Sequence, residues 1–344
     1  MKVTKNLRQQ VLSMFAMLFA AIISISGASA GTLEDVKNRG KLICGVNPQV
    51  SGFSVPDENG VWQGFSIDLC QAISAAIGVE TEYKPLPSTE RFLALATGVA
   101  DVLVMTNTWT MTRDTKLGVM FAATHYYDIQ SFLVRKNVGA SKIADLNGAS
   151  ACVTSGSTGE TNLANLFKER SLTYKPITYK TSSEARLAYG SGRCDFIMGD
   201  QSNLANMRVQ LKDSDAHTVL KDGIGREPLS LTVRQGDDKW FNIIRWTYYS
   251  TLIAELHGVT QSNADAMAQS SKSAEVKKLL GSGGGNLGED LGLDVQFALR
   301  AIQKVGNYSE MFERHLGPNT PMGLPRALNA LWVNGGIQYA PPFK

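Results

Sequence analysis

Three short stretches of the sequence carry side chains able to hold a small charged ligand. Thr106–Arg113 reads Thr-Asn-Thr-Trp-Thr-Met-Thr-Arg, with hydroxyls at Thr106, Thr108 and Thr110, an indole at Trp109 and a guanidinium at Arg113. A planar guanidinium pairs bidentately with a carboxylate, so an anionic group is its natural partner. A solvated Arg beside a Thr-rich turn is the plain alternative. Ser155–Glu160, Ser-Gly-Ser-Thr-Gly-Glu, sets two glycines where backbone can approach closely, and a hydroxyl, Ser157 or Thr158, where a helix would begin. Exposed amides at such a terminus favour an anion, although capping alone explains the same residues. Asp200, in Met198-Gly199-Asp200-Gln201, offers a carboxylate to an ammonium group or a cap to a following helix. Each stretch is ambiguous alone. Together they offer places for a carboxylate and for an amine, the two charges of an α-amino acid.

The elements that must position these residues follow from periodicity and punctuation. Thr32–Gly40 predicts a short helix and Lys41–Val46 a buried strand. Apolar residues at Ile67, Ala72, Ile73, Ala76 and Ile77 predict an amphipathic helix ended by Gly78. Thr81–Pro85 reads as a strand, Glu90–Thr97 as a helix and Asp101–Met105 as a strand that delivers Thr106–Arg113 at its carboxyl end. The rhythm restarts with strand Ser150–Thr154, helix Thr158–Arg170, strand Tyr174–Tyr179, helix Ser183–Tyr189 and strand Cys194–Met198. Such alternation predicts α/β units with parallel, open sheets. Ligands bind there in crevices at the carboxyl ends of strands. Ser131–Lys136 and Glu227–Val233 are extended, without turn signals, and enter and leave the second unit. They predict a two-strand hinge, with one lobe from 31–134 and 232–344 and the other from 135–231. Beyond Asp237 the pattern is mainly helical, over Lys239–Leu256, Asn263–Leu280 and Leu293–Gly306. The glycines of Gly281–Gly288 form no P-loop, since no Lys-Ser/Thr follows them.

The first thirty residues predict export. Lys2, Lys5 and Arg8 precede an apolar run, Val11–Ile25, and Ala28-Ser29-Ala30 is a small-x-small cleavage site. Those three cations account for the whole formal charge of +3, leaving a neutral chain from 31 to 344. No run of Lys and Arg supplies the basic stripe a nucleic-acid partner needs. Four cysteines, Cys44, Cys70, Cys152 and Cys194, in an exported chain suggest disulfides. Their order suggests one bridge in each lobe, with free buried thiols as the alternative. No C-x-x-C occurs and His is scarce, so neither a zinc site nor any other metal or cofactor is expected.

These residues also carry a family resemblance. Gly64-Phe65-Ser66-Ile67-Asp68-Leu69, Asn107-Thr108-Trp109-Thr110 with Arg113-Asp114-Thr115, Tyr126-Tyr127-Asp128 and Gly192-Arg193-Cys194-Asp195 are among the matching motifs. So are Asp200-Gln201-Ser202, Val233-Arg234-Gln235-Gly236-Asp237-Asp238 and Gln338-Tyr339-Ala340-Pro341-Pro342. Over essentially all of 31–344 the chain resembles the polar amino acid-binding proteins of ABC importers, solute-binding protein family 3, and most of all their general L-amino acid-binding members. The resemblance implies a type II periplasmic binding protein fold, two α/β lobes on a two-strand hinge with a helical C-terminal extension. It implies a monomer in the periplasm that delivers an L-amino acid to an inner-membrane ABC permease. It puts the carboxylate-binding Arg on Arg113, hydroxyl and amide contacts on Thr106, Thr108, Ser157 and Thr158, and the ammonium-binding acid on Asp200. Phe53 is its nearest candidate for an aromatic lid over the ligand.

Two rival functions are weaker on the residues themselves. An exported enzyme resembling this fold, such as a cyclohexadienyl dehydratase, needs an acid or base in the cleft. The candidates His125, Glu160 and Asp200 form no recognisable constellation in sequence. A sensory ectodomain needs a later membrane span; Ile243–Leu256 falls short of the roughly 20 residues required and contains Arg245 and Glu255.

Overall fold

The structure, a computed structural model, describes residues 31–48 and 50–344. The expected export signal at 1–30 lies outside the described residues. Helix α1 (Thr32–Arg39) leads through Gly40 into β1 (Lys41–Val46). A small hairpin, β2 (Val55–Pro56) with β3 (Trp62–Gln63), precedes α2 (Phe65–Ile77). Ile67, Ala72, Ile73, Ala76 and Ile77 are all buried on α2, which ends where Gly78 turns left-handed at φ 85° and donates its N–H to the Ser74 carbonyl. Glycine adopts that conformation at little steric cost. Gly64 is constrained by space: a Cβ there would meet the Phe53 carbonyl oxygen at 2.3 Å. β4 (Glu80–Pro85), α3 (Arg91–Ala96), β5 (Val102–Leu103) and α4 (Met111–Lys116) complete this unit.

A long strand, β6 (Val119–Arg135), carries the chain into the second unit. That unit comprises β7 (Ser150–Thr154), α5 (Thr158–Glu169), β8 (Lys175–Tyr179), α6 (Ser182–Gly190), β9 (Phe196–Asp200), α7 (Gln201–Val209) and β10 (His217–Val219). The chain returns through β11 (Ile224–Arg234). The strand order is β4-β1-β5-β11-β6-β9-β7-β8, with β10 also paired to β6. β4, β1 and β5 run parallel, as do β8, β7 and β9. β11 is antiparallel to both β5 and β6, and β6 is antiparallel to β9. The sheet is therefore mixed, not parallel throughout: two parallel sets are joined by an antiparallel pair.

Several boundaries differ from expectation; β5, for one, is Val102–Leu103 where Asp101–Met105 is expected. The strand expected to start at Cys194 runs Phe196–Asp200, so Asp200 is its last residue. The helix expected over Asn263–Leu280 is two helices, because Ser271 turns extended and Ser273 caps the second one through Val276 N–H.

The apolar cores lie on either side of the pair. One contains Val46, Phe65, Ile73, Trp240, Ile244 and Tyr308; others hold Phe132, Phe167 and Phe196, and Leu133, Tyr189 and Leu204. Cys44 and Cys70 form a disulfide that ties β1 to α2, with Cα atoms 6.1 Å apart. Cys152 and Cys194 form another, Cα atoms 5.5 Å apart, tying β7 to the residues before β9.

The C-terminal third is α8 (Asp238–Leu256), α9 (Ala264–Ser270), α10 (Ala274–Leu279), α11 (Phe297–Val305) and α12 (Tyr308–His315), followed by an irregular tail. No helix among the described residues is long and apolar enough to cross a membrane. Trp240 on α8 donates its indole N–H to the Asp101 carbonyl, 2.9 Å. Side chains from this third also reach the backbone of β6 ahead of its pairing with β9. Arg245 donates to the Ala122 carbonyl, Tyr308 to the His125 carbonyl, and Asn329 bonds both the N–H and the C=O of Tyr127, at 2.7 and 3.1 Å. Asn329 is buried. Asn329→Ala would strand both polar groups of Tyr127 and should cost about 1–3 kcal/mol, read as a lowered midpoint in denaturant unfolding.

Candidate functional site

A polar cavity of about 50 Å³ lies where the two units meet, room for a few water molecules. Asn47, Ser88, Arg91, Thr106 and Thr108 line it from the first unit; Thr154, Ser157, Thr158 and Asp200 line it from the second, and Gln130 comes from β6. Contacts across it are direct. The hydroxyls of Thr108 and Thr158 are 3.3 Å apart, and Arg113 reaches the Gly156 carbonyl at 3.3 Å.

Each wall is built by local structure. β1 ends beside β5, so Asn47 meets the turn after β5 and its Oδ1 accepts from the N–H of Thr106 at 2.8 Å. This fixes Thr106 at the rim. Ser157 is the N-cap of α5: it accepts from Glu160 N–H at 3.2 Å and donates to the Thr154 carbonyl at 2.6 Å. The Glu160 carboxylate accepts from Gly156 N–H at 3.0 Å. Capping thus accounts for Ser157, while the positive end of the α5 dipole still faces the cavity. Asp200 occupies the N-cap position of α7, yet its side chain makes no capping bond. Instead Gln130 Nε2 donates to it at 3.2 Å, and to Thr158 Oγ1 at 3.0 Å.

The charges are concentrated and buried. Arg91 is buried with its Nε unpartnered; one Nη donates to Ser88 Oγ at 3.3 Å. Burial, and then repulsion from Arg113, lower its pKa to about 9, while Asp200 opposes the shift. It stays a cation at neutral pH. Asp200 is pushed well above the usual carboxylate range by burial, then by Asp128 and Glu227. Burial pushes Asp128 up to about 6 against the hydrogen bonds from Ser202 and Ile129. Glu227 is 2 % exposed and is also raised by burial, although Thr108, Thr158, Arg113 and Asn162 oppose this.

Of the residues singled out from sequence, Thr106, Thr108, Ser157, Thr158 and Asp200 come together in the lining. Arg113 sits behind it. Its guanidinium donates to the Thr108 carbonyl at 2.9 Å and to Gly156 O, and lies 5.3 Å from the Phe92 ring centre. Phe53 is not a lid over the cavity. It is fully buried in the first unit's core, edge-on to Tyr126 and Phe65 at 5.4 and 6.3 Å between ring centres. The Phe53 carbonyl accepts from Ser66 N–H at 2.9 Å.

Sequence reasoning missed Arg91, Asn47, Gln130 and Glu227. Arg91 had a signal: with Ala94 and Leu95 it makes an i, i+3, i+4 set, the buried face of α3, where an Arg is out of place. The acid–base candidates do not converge. His125 stacks on Phe65 inside the core, and burial alone holds it down at about 3, so it is neutral. Among the described residues no group of His, Cys, Asp or Glu is arranged to hold a metal ion.

The comparisons with known proteins agree with this architecture. The sequence profile of the bacterial extracellular solute-binding proteins, family 3, matches residues 42–318. A glutamate/glutamine/aspartate/asparagine-binding protein of Rhodobacter capsulatus is 44% identical over 333 residues, 96% of this chain and 98% of that one. A general L-amino acid-binding periplasmic protein of Rhizobium johnstonii is 45% identical over 335 residues, again 96% and 98%. An ABC transporter periplasmic binding protein from Brucella ovis, solved with glutathione bound, superposes with a TM-score of 0.88 at 43% identity, covering 92% of this chain and all of that one.

The Asp128 shift has a sign. A carboxyl raised from 3.8 to about 6 favours the fold below the lower value and loses that contribution as pH rises through the upper one. The melting temperature of the wild type should therefore fall relative to Asp128→Asn between about pH 4 and 7, measured by a thermal-shift titration; parallel profiles would refute the assignment.

Proposed function

The chain belongs to the bacterial extracellular solute-binding proteins, family 3, and from that membership we propose that it is the periplasmic binding component of an ABC importer for L-amino acids, of broad side-chain specificity. The observation that carries this reading is identity of 44–45% with two amino acid-binding relatives over 96% of the chain. The relatives are named as binding proteins, which favours capture and delivery over turnover. A cleaved export signal at 1–30, a monomeric state and an inner-membrane permease as the receiving partner complete the proposal. We place lobe 1 at 31–134 with 232–344 and lobe 2 at 135–231; the separate apolar cores support two lobes, with Phe132, Leu133 and Val134 packing into the second and Leu229 and Leu231 into the first.

The ligand's α-ammonium would be held by Asp200, whose side chain is free of capping duty. Its α-carboxylate would lie toward Arg91 and Arg113 and the amino end of α5, with Thr106, Thr108, Ser157 and Thr158 as the polar frame. Arg91 faces the cavity with an unpartnered Nε; Arg113 backs it while bridging to Gly156. Each charge-assisted hydrogen bond contributes about 1.5–3 kcal/mol. Closure of the lobes then excludes competing water.

A thermal-shift screen against the common L-amino acids, with glutathione and a sugar alongside, tests the function. Binding to the native state raises the melting temperature by mass action, so several L-amino acids should stabilise the protein. A response to the sugar alone would defeat the proposal. Calorimetry tests the contacts: Arg113→Ala should abolish measurable binding, and Asp200→Asn and Arg91→Ala should each weaken it by about 10- to 100-fold. Unchanged affinity in Asp200→Asn would remove that residue from the site.

A further inference from the structure

We infer that Glu227 couples closure of the two lobes to the uptake of a proton, so that capture of the ligand strengthens as pH falls toward the acid side of neutrality. The inference rests on the amino acid-binding reading for its ligand, and on the geometry of Glu227 for its mechanism.

Glu227 lies on β11, paired directly with Asp128 on β6, next to a register shift between Ile224 and Glu227. Its carboxylate bridges the walls of the cleft. Oε2 accepts from Thr108 Oγ1 of the first unit and from Thr158 Oγ1 of the second at 2.8 Å, while Oε1 accepts from Asn162 Nδ2 at 3.2 Å. Thr108 belongs to the first unit and is tied to β11 by its bridge to Leu229, whereas Thr158 and Asn162 belong to the second unit, so the carboxylate spans the two walls. Opening the cleft would separate Thr108 from Thr158 and admit water to the carboxylate; closing it buries the charge.

The surroundings do not neutralise that charge. Arg113 from α4 faces Glu227, Arg91 from α3 faces Asp200, and Asp128 from β6 and Asp200 from the end of β9 lie on the same side as Glu227. The helix α5 contributes the neutral Thr158 and Asn162, its Glu160 being turned to Gly156 N–H. Tyr126, near Asp128 and Asp200, is neutral, since burial raises its phenol. Three carboxylates thus face two guanidiniums. An amino acid zwitterion adds one charge of each sign and leaves the excess in place. A proton removes it. Of the three, Glu227 is the one whose carboxylate accepts from both walls of the cleft, and burial raises it from 4.5. A group raised in the closed state favours closure at low pH and opposes it as pH climbs through the raised value.

The test is calorimetry with L-glutamine at a series of pH values rising from 4.5, in two buffers of different ionisation enthalpy at each, for wild type, Glu227→Gln and Asp128→Asn. Gln keeps an oxygen for the Thr hydroxyls but cannot titrate. Wild type should take up a substantial fraction of a proton per ligand and weaken by up to about tenfold per pH unit across the window. Glu227→Gln should lose most of the uptake and flatten the affinity profile. Equal uptake in wild type and Glu227→Gln overturns the inference, as does loss of uptake in Asp128→Asn alone. If L-glutamine does not bind at any pH, the amino acid reading is what suffers. The ligand-free melting profile then decides for Glu227: wild type should lose stability relative to Glu227→Gln as pH rises, and parallel profiles would overturn the inference.

Discussion

Strands β6 and β11 are the one element that both halves of the molecule share, and their backbone must be satisfied where no single core covers it. β6 is 17 residues long, pairs with β11 over most of its length and with β9 only from Gln130 onward. The register between β6 and β11 slips in three places. Bulges of this kind bend a strand and sharpen its twist, which lets the pair turn from one unit into the next. Ahead of Gln130 the side chains of Arg245, Tyr308 and Asn329 replace a missing neighbour strand. Buried amide and carbonyl groups are costly when unpaired, so the C-terminal third, which shares the first unit's core, also supports the stretch of β6 that leads into the crossing.

The same crossing explains why polar residues concentrate there. Asp128 and Gln130 on β6 and Glu227 on β11 are buried: Gln130 lines the cleft, Glu227 accepts from both its walls, and Asp128 accepts from Ser202 N–H at 3.2 Å. Gln130 is suited to this position because its amide both donates and accepts. It donates to Asp200 and Thr158 and accepts from Asn162 at 2.8 Å. An apolar residue there would leave Asp200 without that bond, in a region where the effective dielectric is low and an unpaired charge costs most.

Much of the fold was legible because its helices and short strands obey simple periodicity. α2 declares itself through Ile67, Ala72, Ile73, Ala76 and Ile77, and its end through Gly78. The long strand was harder. Before Ser131, β6 carries His125, Asp128 and Gln130 among its buried residues, so an apolar–polar alternation scan sees only its apolar tail. The site was legible where ligand chemistry and strand ends coincide, at Thr106, Thr108, Thr158 and Asp200. It was illegible where the residue's partner comes from another element. Glu227 belongs to the cleft through Thr108 and Asn162, at sequence separations of 119 and 65, and nothing local to β11 announces them. Phe53 failed for the converse reason: a resemblance assigns a role by position, whereas the ring packs edge-on to Phe65 and Tyr126 in the core.

The distribution of strong and weak links fits reversible capture. Both disulfides close loops on one side of the cavity, across separations of 26 and 42 residues, and neither crosses it. Crosslinks of that size stabilise by about 2–4 kcal/mol each, so each half resists distortion. What holds the halves together across the cleft is of another order. Thr108 with Thr158, Arg113 with Gly156 and Ser51 with Gln210 are single hydrogen bonds, the neutral ones worth about 1 kcal/mol net and the one from the guanidinium about 1.5–3 kcal/mol. Glu227 adds a charged acceptor, but it carries the burial penalty of that charge as well. The closed arrangement is therefore held by a small surplus. In the proposed reading, a ligand that supplied a carboxylate to Arg91 and an ammonium to Asp200 would need only a few kcal/mol to decide the balance, and its departure would need no more than that to reverse it.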